Sequence, residues 1–374
     1  MGWWTVSKKC KLCGAVGAEI SETLQVCLRC LRENPDEALS QAREAHKAVR
    51  VGYGLPPQPP RTPGGIRCAL CSNECVMGLG EKGYCGLREN RGGKLESVVS
   101  QDIGLLHSYL DPHATNCCAA WFCPGGTGLG YPRYARTPSC EKGYFNYAVF
   151  FYGCNFNCLF CQNPSHKKLD EGKRVTAAEF KAELEANLMC TCICFFGGSP
   201  EPQLPFAVNA SKKILEESPS RVLRVCFEWN GCGNEKLVRE AAELSFKTGG
   251  NIKFDLKCFN PDLSVALSGV PNHTAYRNFE LIAREFYGER PKPPVLTATT
   301  LLVPGYVDAL EVESIAQFIS ELNPNIPYSL LLFHPDYYMS DLPYTSKRQL
   351  ELCLKAAKKH LKNVHVGNLQ LLGM

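Results

Sequence analysis

The sequence predicts an α/β protein, a partial (β/α)6 barrel preceded by a Cys-rich extension and a small zinc-ribbon-like module. Three observations carry this. From about residue 146, six short apolar runs alternate strictly with six amphipathic stretches of helical period. The chain holds 22 cysteines, several at metal-ligand spacing. A stiff Pro-rich stretch, LPPQPPRTPGG at 55–65, separates the first cysteine pairs from the rest.

Composition narrows the functional classes. At roughly 150 residues per domain, the chain is sized for two or three domains. Hydrophobic residues are 45% and charged residues 21%, enough for an ordinary core. Such a chain has no need of the disulfide framework of small secreted domains, so thiolate ligation of metal in a reducing cytoplasm is the expected use of its cysteines. A net charge of +4 is too mild to argue for nucleic acid and leaves RNA open. No apolar run approaches the roughly 18 residues of a membrane span. The opening MGWWTVSKKC has no apolar signal core. The expectation is a cytoplasmic protein that is neither membrane-bound nor disordered.

The elements follow in order. Residues 1–54 open with Cys10-x2-Cys13 and Cys27-x2-Cys30, four soft ligands suited to tetrahedral zinc, and a helix over Glu37–Arg50. After the linker, residues 66–145 are poor in periodicity and rich in Cys, Gly and Pro. They hold Cys68-x2-Cys71-x3-Cys75-x9-Cys85, enough thiols for zinc or a complete iron–sulfur cluster, and then Cys117, Cys118, Cys123 and Cys140. The latter four read as a third metal site or as free thiols, with His107 and His113 close by. Residues 146–374 form the main domain. Strands are expected at Asn146–Tyr152, Cys192–Phe196, Val222–Glu228, Ile252–Leu256, Val295–Leu302 and Tyr328–Phe333. Helices are expected at Ala177–Leu188, Leu204–Glu217, Glu235–Thr248, Ala275–Glu285, Ala309–Leu322 and Lys347–His360, the first opened by a Thr176-x-x-Glu179 capping box. Eight such units would close a full barrel; six leave it open.

The chemistry is concentrated just after the first of these strands. Cys154-x3-Cys158-x2-Cys161 supplies three thiolates, enough to hold three irons of a [4Fe–4S] cluster with the fourth open, the plainer readings of the triplet being a zinc site or a structural cluster. Later strand ends carry Gly197-Gly198-Ser-Pro-Glu201, then Glu228-Trp-Asn230, then Asp255-Leu-Lys257, Val303-Pro304-Gly305-Tyr306 and Phe333-His334-Pro335. Active sites of parallel βα folds gather at these ends. Cys190, Cys192 and Cys194 share one strand face and read as small core residues. Cys232 and Cys258 fall near the rim and are candidate hydrogen-atom donors.

The triplet's spacing and placement resemble the radical S-adenosylmethionine superfamily. The ordered motifs over about 146–366 resemble pyruvate formate-lyase activating enzymes and their relatives. The cysteines at 68–85, with Arg88 and Asn90, and the closing YSLLLFHPDYYMSDLPYT and Val364–Asn368 look like the AmmeMemoRadiSam system radical enzymes. The resemblance implies reductive cleavage of S-adenosylmethionine at a cluster on Cys154, Cys158 and Cys161, giving a 5′-deoxyadenosyl radical. It implies that Gly197, Gly198 and Glu201 hold the methionyl group, and that Glu228, Asn230, Asp255, Lys257 and His334 contact the cofactor. A cation proposed beside an Asp in that family is in doubt here, where the residue is Glu228. Implied partners are a reductant such as a ferredoxin or flavodoxin and a protein or peptide substrate. The alternatives are an iron–sulfur electron-transfer or sensing protein without radical catalysis, and an RNA-modifying enzyme.

Overall fold

The computed structural model describes residues 8–115, 117–217 and 220–373. The first seven residues, on which the reading of the N-terminus as free of a signal core partly rests, lie outside the described residues. One nine-stranded sheet organises the chain. Its strands are β1 (Ile103–Pro112), β2 (Phe145–Phe151), β3 (Lys173–Thr176), β4 (Cys190–Phe196), β5 (Arg224–Trp229), β6 (Ile252–Asp255), β7 (Leu296–Leu302), β8 (Tyr328–Leu332) and β9 (Val364–Gly367). The helices are α1 (Leu28–Glu33), α2 (Pro35–Val51), α3 (Ala177–Glu185), α4 (Leu204–Glu217), α5 (Glu235–Thr248), α6 (Pro261–Ser268), α7 (His273–Ile282), α8 (Ala309–Leu322) and α9 (Lys347–Lys358).

Strands β2 and β4 to β8 lie side by side in chain order, all parallel. This is the arrangement the alternating pattern predicts. The sheet is longer than six strands. β9 adds a seventh parallel strand beside β8. β1 pairs antiparallel with β2, and β3 with β1. β1 is hard to see in the sequence because IGLLHSYLDP has no clean alternation, and its burial fades from His107 onward. The capping box forms as expected, Thr176 Oγ1 accepting from Glu179 N and Thr176 N donating to the Glu179 carboxylate.

The two faces of the sheet divide the work. Phe151, Phe195, Phe227, Trp229 and Phe254 form a buried ladder beneath the helices, with ring centroids 5.2–5.8 Å apart at successive contacts. Each such pair adds about 0.5–1.5 kcal/mol beyond its burial. The opposite face, fixed by strand register, carries Cys192, Cys194 and Phe196, then Glu228, Lys253 and Asp255, then Thr299, Leu301, Ser329, Leu331, His365 and Gly367. That face is polar where the ladder is apolar, and it lines the site.

The N-terminal segment packs onto the main domain. Tyr306 Oη accepts from Ser21 N at 3.0 Å and donates to Val26 O at 2.9 Å. Arg32 forks onto Asp308 at 2.7 and 2.9 Å. Gly305 has φ +76°, and a Cβ there would sit 2.3 Å from Glu19 O. The Val303–Tyr306 motif, expected to face the site, instead seats this module.

Candidate active site

A cavity of about 620 Å³ opens at the C-terminal ends of the parallel strands. Cys154, Cys158 and Cys161 line it together with Glu228, Lys253, Asp255 and Lys257, the last of these within the field of the three thiols. Gly197, Gly198 and Asn230 line it as well.

The cluster loop is held from several directions. Gly153 takes φ +80° with Leu87 and Cys85 O packed where a Cβ would go. Asn157 N donates to Ser268 O at 2.8 Å and Leu159 N to Leu267 O at 3.0 Å, tying the loop to the end of α6. Asn157 Nδ2 donates to His46 Nδ1 at 2.8 Å, which fixes the proton of His46 on Nε2, facing Ala266 O at 3.0 Å. Burial pushes His46 down to about 4, so the ring stays neutral and this tautomer persists. Helix α2 thus braces the loop from beneath.

The charged wall is a continuous network. Lys253 Nζ donates to Glu228 at 2.9 Å and lies 3.4 Å from Asp255, which in turn accepts from Lys257 at 3.4 Å. Burial opposes the charge on Lys257, but the cluster thiols and Asp255 hold it protonated. The Cys117 thiol donates to the other Glu228 oxygen at 2.9 Å, so both carboxylate oxygens are engaged within the protein. Asn230 donates to Asn155 Oδ1 at 2.8 Å and Ser199 Oγ at 2.9 Å, linking the cluster loop to the glycine turn. Gly198 has φ +53°, and a Cβ there would lie 2.3 Å from Phe151 O.

Two expected cofactor residues stand off the cavity wall. Glu201 is fully buried behind it, accepting from Gly231 N at 2.7 Å and so fixing the turn that carries Asn230. His334 is half exposed, pairing with Asp336 at 3.0 Å against the Tyr344 ring. The sequence also placed Cys232 and Cys258 at the rim, whereas both are fully buried away from the cavity. Burial makes them packing residues. Cys192 and Cys194 are buried on the inner face, and Cys190 is buried at the start of β4. Cys117 and Cys118 do reach the cavity. Lys253, Ser199 and His365 were missed. His365 stacks on Trp121 at 5.2 Å, and Trp121 donates to Ser329 at 3.2 Å, closing the far side. Stepping two residues back from Asp255 along its strand would have found Lys253.

Burial raises the Glu201 carboxyl from 4.5 to about 7. Between those values the folded protein keeps a proton that the unfolded chain releases, so stability falls as pH rises through the window. Glu201→Gln keeps the acceptor for Gly231 and removes the titration. The variant is expected to gain on wild type by up to about 3 kcal/mol above the window and to match it below. Urea unfolding on both sides of the window measures this.

Residues 148–319 match the Radical SAM superfamily. The chain therefore carries a radical SAM domain and is an enzyme of that type, and the family implies a [4Fe–4S] cluster and S-adenosylmethionine. Among its relatives, the protein MJ0808 of Methanocaldococcus jannaschii is 24% identical over 313 residues, 81% of either chain. An isethionate sulfite-lyase activating enzyme of Desulfovibrio desulfuricans is 35% identical over 140 residues, 37% of this chain and 40% of that enzyme. A pyruvate formate-lyase-activating enzyme of Staphylococcus aureus is 29% identical over 197 residues, 50% of this chain and 74% of that enzyme.

Proposed function

We propose that this chain cleaves S-adenosylmethionine reductively and takes a hydrogen atom from a protein or peptide substrate, as its activating-enzyme relatives suggest. One observation carries the reading. Three cysteine thiols and a network of charged side chains line one cavity large enough for a cofactor. The residues fit a cluster. Lys167 is 3% exposed, its Nζ makes no hydrogen bond, and its nearest aromatic neighbour is the Tyr337 ring at 5.0 Å. Its field acts on Cys154 and Cys161. A buried cation of this kind calls for an anion, which a thiolate-bound cluster supplies.

Cys154, Cys158 and Cys161 would hold the cluster, and the Gly197–Gly198 backbone, Asn230, Asp255 and Lys257 the S-adenosylmethionine. Cluster and cofactor together supply the one-electron cleavage to methionine and a 5′-deoxyadenosyl radical. The protein orients the cofactor, and Trp121, Leu301 and Leu331 limit water on the substrate side. Glu201 is a positioning residue, acting through Gly231. The electron donor is a ferredoxin or flavodoxin of a reducing cytoplasm. No helix among the described residues is long and apolar enough to cross a membrane.

The test is 5′-deoxyadenosine formation by the reconstituted enzyme with reductant, stimulated by an extract of its source cells. Stimulation that survives nuclease but not protease supports a protein substrate. Stimulation lost with ribonuclease would replace that substrate class with RNA.

Zinc belongs to the same proposal. The sulfurs of Cys10, Cys13, Cys27 and Cys30 all lie within 4.8 Å of one another. Removing the ion with a chelator is expected to speed amide exchange at Leu24 and Val26 by about a hundredfold or more, and to leave Phe195 and Phe227 unchanged. Exchange mass spectrometry reads both regions at once.

A further inference from the structure

The cysteines of residues 68–85 differ from the N-terminal four in spacing. Four thiolates at the zinc–sulfur distance of about 2.3 Å stand about 3.8 Å apart. The N-terminal sulfurs fit this, with Cys10–Cys30 at 3.8 Å and Cys13–Cys27 at 3.7 Å. Cys68, Cys71, Cys75 and Cys85 instead ring a cavity of about 10 Å³, and no three of their sulfurs lie within 4.8 Å of one another. Such a space admits a water-sized sphere. Around a zinc ion the sulfurs leave none. The radical-site triplet Cys154, Cys158 and Cys161 is likewise open beyond 4.8 Å.

Charge calls for a metal-bound thiolate centre of either kind, net anionic in both cases, so it is the spacing that selects the cluster. Arg88 lines this cavity, is 7% exposed, and leaves Nη1 with no hydrogen-bond partner. Arg50 is 1% exposed, with its guanidinium 3.4 Å above the Tyr84 ring centroid. Among the described residues neither arginine has a carboxylate partner. The thiols that act on Arg50 are Cys154, Cys85 and Cys75. Arg88 on the cavity and Arg50 beside Cys75 and Cys85 are bonded, among the described residues, only to the carbonyls of Pro202, Pro56 and Tyr84, and such buried cations favour an anionic centre at the thiols.

We infer that Cys68, Cys71, Cys75 and Cys85 hold a second iron–sulfur cluster that relays electrons to the first. The placement suits a relay. Ser72 N donates to Cys232 O at 2.9 Å, Asn73 donates to Asn155 O at 2.7 Å beside Cys154, and Cys85 O packs on Gly153. Cys68, Cys71 and Cys85 are partly exposed. One electron enters from a low-potential protein donor, reduces the second cluster and passes to the first, with no bond made or broken. The relay rests on the radical activity proposed above; the identity of the metal centre does not.

Metal analysis of the anaerobically reconstituted wild type decides the site. The expected result is about eight irons and one zinc per chain. About four irons and two zincs overturn the cluster, and about four irons with one zinc overturn any metal there. A Cys154→Ala, Cys158→Ala, Cys161→Ala variant is expected to keep about four irons and a visible absorption that bleaches on reduction. Cys71→Ser with Cys75→Ser tests the relay. With the first cluster's irons retained, 5′-deoxyadenosine formation should fall about tenfold or more with a flavodoxin donor and recover with dithionite. Equal loss or equal activity with both donors overturns the relay. Wild type that forms no product with either donor overturns the radical reading instead, whatever the metal count.

Discussion

Cys158→Ala is expected to cut 5′-deoxyadenosine formation by about a thousandfold or more, some 4 kcal/mol of barrier, with the fold intact. Cys158 lines the cavity, and its sulfur contacts only Ser268 Oγ, at 3.3 Å, as a hydrogen-bond partner. The loop around it is held by backbone bonds from Asn157 and Leu159, which alanine preserves. Unfolding free energy should therefore change by less than about 1 kcal/mol. Cys232→Ala is the matching control. That residue is fully buried off the cavity, so its loss should lower stability by about 1–2 kcal/mol and spare product formation. Equal effects of the two substitutions on product would show that the triplet has no special part in the chemistry.

What the sequence reveals of this site, and what it hides, follows from the range of each signal. The cluster triplet lies within eight residues on one loop, so its spacing is itself the geometry. The six parallel strands are equally legible, because each is a short apolar run bounded by turn residues. Three of the helices have the bounds expected from periodicity, at Leu204–Glu217, Glu235–Thr248 and Ala309–Leu322. Helix α6 was readable but missed. Asn260 caps it, Pro261 opens it and Gly269 ends it at φ 80°, the usual start and stop signals for a helix of only eight residues.

The far wall of the cavity is a different matter. It depends on which strand ends turn inward, and that is set by packing between distant segments. The chain after β8 carries His334 toward Asp336 and Tyr344, while β9, not counted among the strands, brings His365 to the cavity. Glu201 shows the same limit. A glutamate after two glycines reads as a ligand to cofactor, yet the intervening Ser-Pro opens a short helical turn that directs its carboxylate to Gly231.

The largest effect on stability is expected at the opposite end of the same inner face. Arg224 and Glu141 are both buried, at 2% and 0% side-chain exposure, with paired contacts of 2.9 and 2.7 Å. Arg224 also donates to Tyr134 O at 2.8 Å and to Thr191 Oγ1 at 2.9 Å. Burial opposes the charge on Glu141, but Arg224 outweighs it and holds the carboxyl below its ordinary range. Arg224→Met would leave that carboxylate with Thr191, the Arg136 N–H and, 3.8 Å away, the His113 ring, whose pKa burial keeps down. The expected loss is about 3–5 kcal/mol, the usual cost of stranding a buried charge. Adding Glu141→Gln removes the stranded charge, so the double variant should recover part of the loss rather than add to it. The pair also anchors 113–141, the segment that brings Cys117, Cys118 and Trp121 to the cavity. Loosening it should raise KM for the substrate more than it lowers kcat, because the cluster loop is held independently by α2 and α6. Denaturant melts of the two single variants and the double variant, with steady-state kinetics of Arg224→Met, separate the two effects; a strictly additive double variant would mean that the two side chains stabilise the fold independently.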